Sequence, residues 1–341
     1  MDLFKARGTP REVGRQYGEA YREGFHSFHA EAEEAASRRA PHWHGELDLL
    51  GQTIRSQFPR FWEEMVGAAE GANMPLEKLL LNHRYVLQAE AGCTNIAFLG
   101  VPSGPIFGKN LDLGLNPTWT FIVRHVQYEN GNEVIHTTCV GDIMGRDTCM
   151  NGRGLTVGGS SVGSVFQKSL HNPPIDVGIY EMIASCSNTG EAIRFLQRFP
   201  YFGKGYNFVL VDEHGDGVVL ECACPLTQVR RPEPGRDAIF CTNTYKLPTL
   251  RTADRRTPQG KLHSERRYHY LERKLFEEHV PRTVEQMRTL LSSHGKDGGL
   301  CNPAFEGDEL KTRLSVITLS TEREFYLADG RPCDVPFERV L

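Results

Sequence analysis

A cysteine that directly follows a glycine is the residue of this sequence whose type and position most suggest chemistry. Cys93 stands behind Gly92 in the stretch EAGCTNIAF, at the start of a run with the composition of a β-strand. Three interpretations compete. The cysteine is a buried structural residue, a common fate of cysteine in cytosolic proteins, or a thiol activated by a histidine, or a nucleophile whose base is its own α-amino group. The third interpretation requires that the Gly92–Cys93 peptide bond be cut.

An amino-terminal cysteine would combine nucleophile and base in one residue. A free α-amino group has a pKa of about 7.7–8.0, against about 10.4 for lysine, so much of it is unprotonated near neutral pH. Glycine before the cysteine suits such a cut, because glycine has no Cβ and tolerates backbone angles that expose its carbonyl group to the thiol. The histidine-activated alternative has less support, since none of the 13 histidines has a spacing or motif that marks it as the partner.

The other cysteines and the histidines form no recognisable metal-binding pattern in the sequence. There are nine cysteines, an odd number in a long chain without an apparent signal peptide, which argues against a disulfide framework. Cys222 and Cys224 form a C-x-C without a second pair at zinc-finger spacing, and on a strand both would point into the core. His26 and His29 lie three residues apart on a predicted helix without a carboxylate that completes a motif. We therefore predict no metal site. A phosphate-binding loop is also not predicted, because the glycine-rich segment GGSSVGS lacks the spacing and the lysine of that motif.

Composition indicates an ordinary globular protein without a strong attraction for polyanions. The 341 residues are 39% hydrophobic and 24% charged, and the net charge of −4 provides no basic field for nucleic acid or anionic lipid. No run approaches the 18 apolar residues of a membrane span, and MDLFKARGTPREVG lacks the apolar run of a secretory signal. We expect a cytoplasmic protein that binds neither nucleic acid nor membrane.

The elements that must position Cys93 change in character near residue 92. Residues 1 to about 90 have the apolar spacing of helices, the first of which begins with a predicted capping box of Thr9, Pro10 and Glu12. From residue 92 to about Tyr245, short β-type runs alternate with turns and enclose a pair of helices. A surface loop over 246–264, two helices and a closing hairpin follow.

Successive hairpins predict antiparallel sheets, because parallel pairing requires crossover connections. Two sheets that face each other, with helices outside, are the layered arrangement that this order of elements favours. We therefore predict an α+β protein with a helical amino-terminal segment, residues 1–92, and a core, residues 93–341, that together form one structural domain.

Two motifs around Cys93 resemble a known family. Gly92-Cys93-Thr94, followed by GKNLD at Gly108–Asp112, is similar to motifs of the N-terminal nucleophile (Ntn) hydrolases related to acyl-coenzyme A:6-aminopenicillanic acid acyltransferase, also called isopenicillin N acyltransferase. The segments GTPREVGRQYG, TNTY at 242–245, SERRYHYLERKL and RLSVITLS…YLADGRPC resemble further family segments in the same order. The resemblance covers nearly the whole chain and implies the four-layer αββα sandwich of Ntn hydrolases.

The resemblance implies a role for each matching residue. Cys93 would be the nucleophile after autocatalytic cleavage behind Gly92, and its freed amine would be the general base. Asp112 would hydrogen-bond that amine or hold the sulfur region in register. Asn243 would donate to the tetrahedral oxyanion, and Arg267 would be a fixed cation near the site. A purely structural role remains open for each of the last three residues. Asp112 could be a turn residue, Asn243 could cap a strand end, and Arg267 could be a cation on a solvent-facing helix surface.

Three further positions would support the site. Ser264 begins the Ser-x-x-Arg motif that carries Arg267. Asn110 either orients the cysteine segment or simply pairs within the hairpin. Ser160 stands where the family often has an asparagine, so that a second oxyanion donor there would need a closer backbone.

The implied activity is cleavage of a linear amide of a small N-acyl amine through an acyl-cysteine thioester. We favour water as the acceptor, which makes the enzyme an amidohydrolase, because no coenzyme A pocket is recognisable in the sequence. An amine or coenzyme A acceptor would make it an acyltransferase, and an uncleaved, non-catalytic binding or scaffold protein is the alternative from another class. No cofactor is expected apart from coenzyme A as a co-substrate. The cleaved chains would stay associated, and homo-oligomerisation is left open.

Overall fold

The protein consists of two stacked β-sheets with helices on both outer faces. The computed structural model describes residues 1–39, 43–84, 91–114, 119–144, 147–166, 169, 171–295, 299–302 and 310–341. The strands are β1 (Asp2–Gly8), β2 (Ala91–Phe98), β3 (Ile106–Gly114), β4 (Phe121–Tyr128), β5 (Glu133–Cys139), β6 (Thr148–Asn151), β7 (Thr156–Ser161), β8 (Tyr206–Val211), β9 (Gly217–Cys222), β10 (Thr227–Arg230), β11 (Ala238–Cys241), β12 (Leu310–Leu319), β13 (Glu324–Ala328) and β14 (Glu338–Arg339).

The helices flank these sheets in two groups. They are α1 (Pro10–Ala20), α2 (Arg22–Arg39), α3 (Trp43–Gln57), α4 (Pro59–Ala72), α5 (Leu76–Arg84), α6 (Ile175–Ser185), α7 (Thr189–Leu196), α8 (Pro258–Glu272) and α9 (Val284–Leu291). A π-helical turn over Arg273–Glu277 continues α8. None of the helices in the described part of the chain combines the length and hydropathy that crossing a bilayer requires.

Within the described residues, one sheet has eight strands and the other has six. The larger has the order β1-β4-β5-β6-β7-β8-β9-β10, and the smaller has the order β11-β2-β3-β12-β13-β14. Neighbouring strands of the described chain are antiparallel except β1, which runs parallel to β4. The predicted α+β class with two stacked sheets and helices outside is confirmed.

Two local predictions are wrong. Residues 2–8 form a strand rather than part of a helix, because burial of Phe4 and Ala6 in the layer between the helices and the larger sheet and long-range pairing with β4 override the short local pattern. The expected loop over 246–264 ends early, since α8 begins at Pro258 with Thr257 as its N-cap. The capping box at Thr9 and Glu12 forms as predicted.

Three apolar layers hold the sandwich together. The first lies between the helices α1 to α7 and the larger sheet, and includes Phe61 and Phe208. The second lies between the sheets, and the third joins the smaller sheet to α8 and α9. Strand β2 serves two layers by alternation, because Cys93 and Ala97 face the larger sheet while Ile96 faces the helices. The thiol of Cys93 therefore points into the layer between the sheets.

The amino-terminal segment shares both a sheet and a buried ion pair with the rest of the chain. Strand β1 is an edge strand of the larger sheet. Glu64 of α4 accepts hydrogen bonds from Arg124 at 2.9 Å and from the Tyr128 hydroxyl at 2.7 Å, and the side chains of the ion pair are fully buried. Such a buried pair is strongly destabilised when one partner is removed. Residues 1–84 and the later strands thus depend on each other.

Helices α1 and α4 touch through their backbones. Gly14 and Gly18 of α1 face Gly67 and Gly71 of α4, and a Cβ at Gly67 would lie 1.9 Å from the carbonyl oxygen of Arg11. A side chain cannot fit there without separating the helices. Gly14 and Gly18 of GTPREVGRQYG therefore serve helix packing.

We expect Gly67→Ala to lower the free energy of unfolding by about 1–3 kcal/mol through overpacking. The matched control is Gly45→Ala on α3, where an added Cβ would meet no atom within 4 Å. That control should be neutral or stabilising by up to about 1 kcal/mol, because alanine favours helix over glycine. Urea unfolding measures both variants, and equal midpoints would contradict the close-packing interpretation.

Candidate active site

Cys93 lies near the start of β2, with its thiol buried in the inter-sheet layer. It is opposite Leu111 of β3, and Gly92 is opposite Asp112. The cysteine is 2% exposed and packs in a cluster with Leu111 and Val123. Burial raises the pKa of the Cys93 thiol above its ordinary value. In the uncleaved chain the thiol is therefore neutral at physiological pH and shielded from solvent.

Both main-chain polar groups of Cys93 are held by predicted site residues. Its N–H donates to Oδ1 of Asn243 at 2.8 Å, and its carbonyl oxygen accepts from Nη1 of Arg267 at 2.6 Å. Arg267 also donates to the hydroxyl of Thr94 and to Oδ1 of Asn243, both at 2.8 Å. The guanidinium is therefore not on a solvated helix face, because it joins α8 to β2 and to the end of β11.

Asn243 stands two residues after the end of β11 and is positioned by α8. Its backbone N–H donates to Oγ of Ser264 at 2.9 Å, and that hydroxyl donates in turn to Oγ1 of Thr242. Its side-chain Nδ2 donates to the carbonyl oxygen of Ser161 at 2.7 Å. Ser264 and Arg267 are three residues apart, so one helix face presents both towards Cys93.

Asp112 is fully buried and lies beside Gly92. Its Oδ1 accepts from the hydroxyl of Thr312 at 2.7 Å. A Cβ built on residue 92 would lie 3.1 Å from Oδ2 of Asp112 and 3.3 Å from Cε1 of His263. Since Gly92 and Cys93 alternate across the sheet, these two side chains approach from the α8 side, opposite to the thiol. The carboxylate is thus beside the Gly92–Cys93 peptide bond rather than the sulfur, and its contact with a freed amine stays a prediction.

Ser160 and Asn110, two further predicted residues, bind groups other than Cys93. Ser160 is buried and accepts from Nδ2 of Asn95 at 2.7 Å, on the inter-sheet side. Asn110 faces the helices instead, where its amide donates to the carbonyl oxygens of Leu291 and Leu300 at 2.8 and 2.9 Å. Asn110 therefore fixes the chain after α9 and, among the contacts of the described residues, has no bond to Cys93.

The sequence interpretation missed two residues at the site. His263 is one, and its approach to the side of Gly92 that faces away from the thiol does not favour a histidine-activated sulfur. Lys109 is the other, a fully buried cation whose Nζ donates to the carbonyl oxygens of Asp147 and Gly159, both at 2.6 Å. The position of Lys109 could have been predicted from the pairing of β2 with β3. Leu111 is opposite Cys93, and Lys109, two residues before Leu111, lies on the same face of the sheet.

Among the described residues, Lys109 is the charged group that affects the Cys93 thiol most. Burial raises the pKa of the Cys93 thiol most, and among the neighbouring charges Lys109 lowers that pKa most, followed by Asp147 and Asp112, which raise it. A nearby ammonium group favours the thiolate. Lys109 therefore offsets part of the cost of ionising a buried sulfur.

Replacing Arg267 by lysine should lower the free energy of unfolding by about 2–3 kcal/mol. The lysine cannot reproduce the planar fork, so that buried acceptors lose bonds to a charged donor. The control is Arg266→Lys at the neighbouring exposed position, which should change stability little. Urea unfolding compares the two, and indistinguishable midpoints would show that the guanidinium contacts contribute nothing.

Lys109→Met should move the pH profile of Cys93 alkylation upwards by about one unit or more. Loss of the positive charge raises the thiol pKa, so the reaction at a fixed pH slows. The rate is followed by mass spectrometry of the Cys93 peptide after exposure to iodoacetamide. Lys5→Met, an exposed position on β1, is the control. A profile that stays in place or moves to lower pH would exclude the proposed influence of Lys109.

Comparisons with known proteins identify the family. The model of acyl-coenzyme A:6-aminopenicillanic acid acyl-transferase matches residues 99–298, more than half of the chain. No curated protein sequence matches.

Among solved structures, penicillin V acylase from Agrobacterium tumefaciens is 12% identical, with a TM-score of 0.45 over 70% of this chain and 83% of that chain. Two variants of conjugated bile acid hydrolase from Clostridium perfringens are 13% identical, with TM-scores of 0.42 and 0.44 over 73% and 72% of this chain and 96% of theirs. The chain belongs to the acyl-coenzyme A:6-aminopenicillanic acid acyl-transferase family of Ntn hydrolases, which are enzymes that act on carbon–nitrogen amide bonds.

Proposed function

We propose that this enzyme cleaves itself between Gly92 and Cys93 and then uses Cys93 to hydrolyse the amide of a small N-acyl amine. The observation that carries the proposal is the fixation of the Cys93 backbone. Asn243 binds its nitrogen at 2.8 Å and Arg267 binds its carbonyl oxygen at 2.6 Å. The nitrogen that would become the general base is thus held by Asn243, and Arg267 holds the carbonyl oxygen of the same residue.

Self-cleavage would begin with attack of the Cys93 sulfur on the carbonyl carbon of Gly92. The C–N bond breaks as the nitrogen of Cys93 takes up a proton, which leaves a thioester and a free amine. Water then hydrolyses the thioester, so that Gly92 leaves as a carboxylate and the thiol is restored. Asp112 and His263 flank Gly92 on the opposite face, where they are suited to exchange protons with the departing groups.

Cleavage would also open the site. In the uncleaved chain, Ala91 and Gly92 continue β2 and pair with Leu113 and Asp112. The thiol beneath them is 2% exposed. A cut behind Gly92 frees this end of the strand to leave the ladder, and its departure exposes the edge of the inter-sheet layer. The uncleaved chain would accordingly be an inactive precursor.

Turnover would use the same groups in a second reaction. The freed amine accepts the thiol proton, the sulfur attacks the substrate carbonyl, and the amine product leaves with that proton. Water then attacks the thioester and releases the acid. The amide of Asn243 has two N–H groups, of which one donates to Ser161, so that the other is suited to stabilise the oxyanion. Arg267 supports this orientation, because it binds Oδ1 and thereby directs the NH₂ group away from itself.

The acceptor decides between hydrolysis and transfer. Water gives an amidohydrolase, whereas an amine or coenzyme A attacking the same thioester gives an acyltransferase. The family description supports an amide that joins an acyl group to a small amine. Coenzyme A enters this proposal only as a co-substrate, and analysis of the acyl product in the presence of added amine or coenzyme A distinguishes the two reactions.

Wild-type protein should give two bands on a denaturing gel, residues 1–92 and 93–341, whereas Cys93→Ala should give one band of 38.4 kDa and no activity. Gel filtration without denaturant should show the two pieces eluting together, because β1 pairs with β4 and Glu64 binds Arg124. Intact-mass analysis after mixing with a panel of N-acyl amines should detect an acyl adduct on residues 93–341. Cys139→Ala, a cysteine outside the site, is the control that should still process and react.

An intact wild-type chain that hydrolyses N-acyl amines at the rate of Cys93→Ala would show that the nucleophile is wrongly assigned. An intact chain whose activity disappears with Cys93→Ala and with the change of one histidine would favour the histidine-activated thiol. An intact chain that turns over none of the panel would favour a non-catalytic relative.

A further inference from the structure

Three potential metal ligands meet at a point away from Cys93. His294 follows α9, Cys301 lies shortly after it, and Cys333 belongs to the connection between β13 and β14. One ligand atom from each of the three lies within 4.8 Å of the others. The two sulfurs are 3.5 Å apart. Segments that are distant in the sequence thus bring two thiols and an imidazole together.

This donor set suits a thiophilic cation with tetrahedral preference. Zinc binds cysteine sulfur at about 2.3 Å and histidine nitrogen at about 2.0–2.1 Å, and tetrahedral geometry then separates two sulfurs by about 3.8 Å. The observed separation of the Cys301 and Cys333 sulfurs is close to that value. Nδ1 of His294 also lies 2.9 Å from the carbonyl oxygen of Cys301, which ties the ring to the main chain of another ligand.

We propose that His294, Cys301 and Cys333 form a binding site for a divalent cation of the zinc type. Asp334, whose Oδ1 lies 3.3 Å from the sulfur of Cys333, or a water molecule would complete four-coordination. Cys301 is buried, while His294 and Cys333 are exposed, so that a cation can enter from solvent. Arg331 lies against this cluster and pairs with Asp334 at 3.3 Å.

The ion would cross-link segments that support the candidate active site. Residue 302 follows the buried ligand, and its backbone N–H donates to the hydroxyl of Thr312 at 2.8 Å. That hydroxyl donates to Asp112 at 2.7 Å. The hydroxyl of Ser292 binds the carbonyl oxygen of Pro332, which precedes Cys333. The site thus lies where the chain after α9, strand β12 and the β13–β14 connection meet. An ion bound there would have a structural role, because it would hold these three segments together.

A disulfide between Cys301 and Cys333 is the competing use of the two sulfurs. It would require them to approach to about 2.05 Å, and it would leave His294 without a part in the cluster. A bound cation uses the imidazole and both thiols at nearly their present separation. The presence of the histidine therefore favours the cation.

The test is metal binding by the reduced full-length chain. Protein is incubated with zinc chloride, freed of excess metal by gel filtration and analysed for zinc by mass spectrometry. Cobalt(II) is added to a second sample, where a tetrahedral thiolate site gives visible d–d bands and a thiolate-to-cobalt charge-transfer band. We expect one ion per chain, with both spectral features. His294→Ala and Cys333→Ser should each weaken zinc binding at least tenfold.

The control is His214→Ala, an exposed histidine in another turn (its side chain is 76% exposed), which should retain one ion per chain. Both ligand variants change exposed residues, so we expect them to fold, and a loss of zinc binding can be assigned to the missing ligand. The proposal is overturned if the reduced wild type holds no stoichiometric zinc, or if both ligand variants bind as tightly as the control. It is equally overturned if peptide mapping finds a Cys301–Cys333 disulfide and the reduced chain still takes up no metal.

Discussion

The buried guanidinium of Arg267 is the interaction on which the arrangement around Cys93 depends. A cation with 2% exposure must find acceptors within the protein, and burial lowers the pKa of Arg267 without discharging it. Its acceptors are the carbonyl oxygen of Cys93, the hydroxyl of Thr94 and the side chain of Asn243. Because the three bonds share one rigid plane, α8, β2 and the end of β11 keep a single relative position.

The pleat of β2 divides the site into two sides. Cys93 directs its sulfur between the sheets towards Lys109, whereas Gly92 faces α8, with Asp112 and His263 beside it. The proposed cleavage of the peptide bond and the proposed activation of the sulfur would therefore draw on different sets of residues. One strand can serve both, since neighbouring residues of a strand point to opposite faces.

The amino-terminal segment makes buried contacts with the later strands, although the proposed cleavage would separate it covalently. It contributes an edge strand to the larger sheet, a glycine-mediated helix contact and Glu64 for the buried pair with Arg124. These contacts are long-range and buried, so they do not need the Gly92–Cys93 bond to persist. If the proposed cleavage takes place, these contacts would keep the first strand in the sheet.

The sequence by itself determined the features that neighbouring residues control. The capping box at Thr9, the β-hairpins with their Gly and Asn turns, and the pairing of the cysteine strand with GKNLD all follow from interactions within a few residues or one tight turn. The motifs also pointed to Asn243 and Arg267, although they did not predict the contacts of these residues.

The tertiary structure decided that Asn243 and Arg267, which are 150 and 174 residues away in the chain, contact Cys93. It also decided which face Asp112 occupies, that residues 2–8 form a strand, and that His294, Cys301 and Cys333 converge. Those outcomes depend on packing and on the satisfaction of buried charges, and such interactions between distant segments leave no local pattern in the chain.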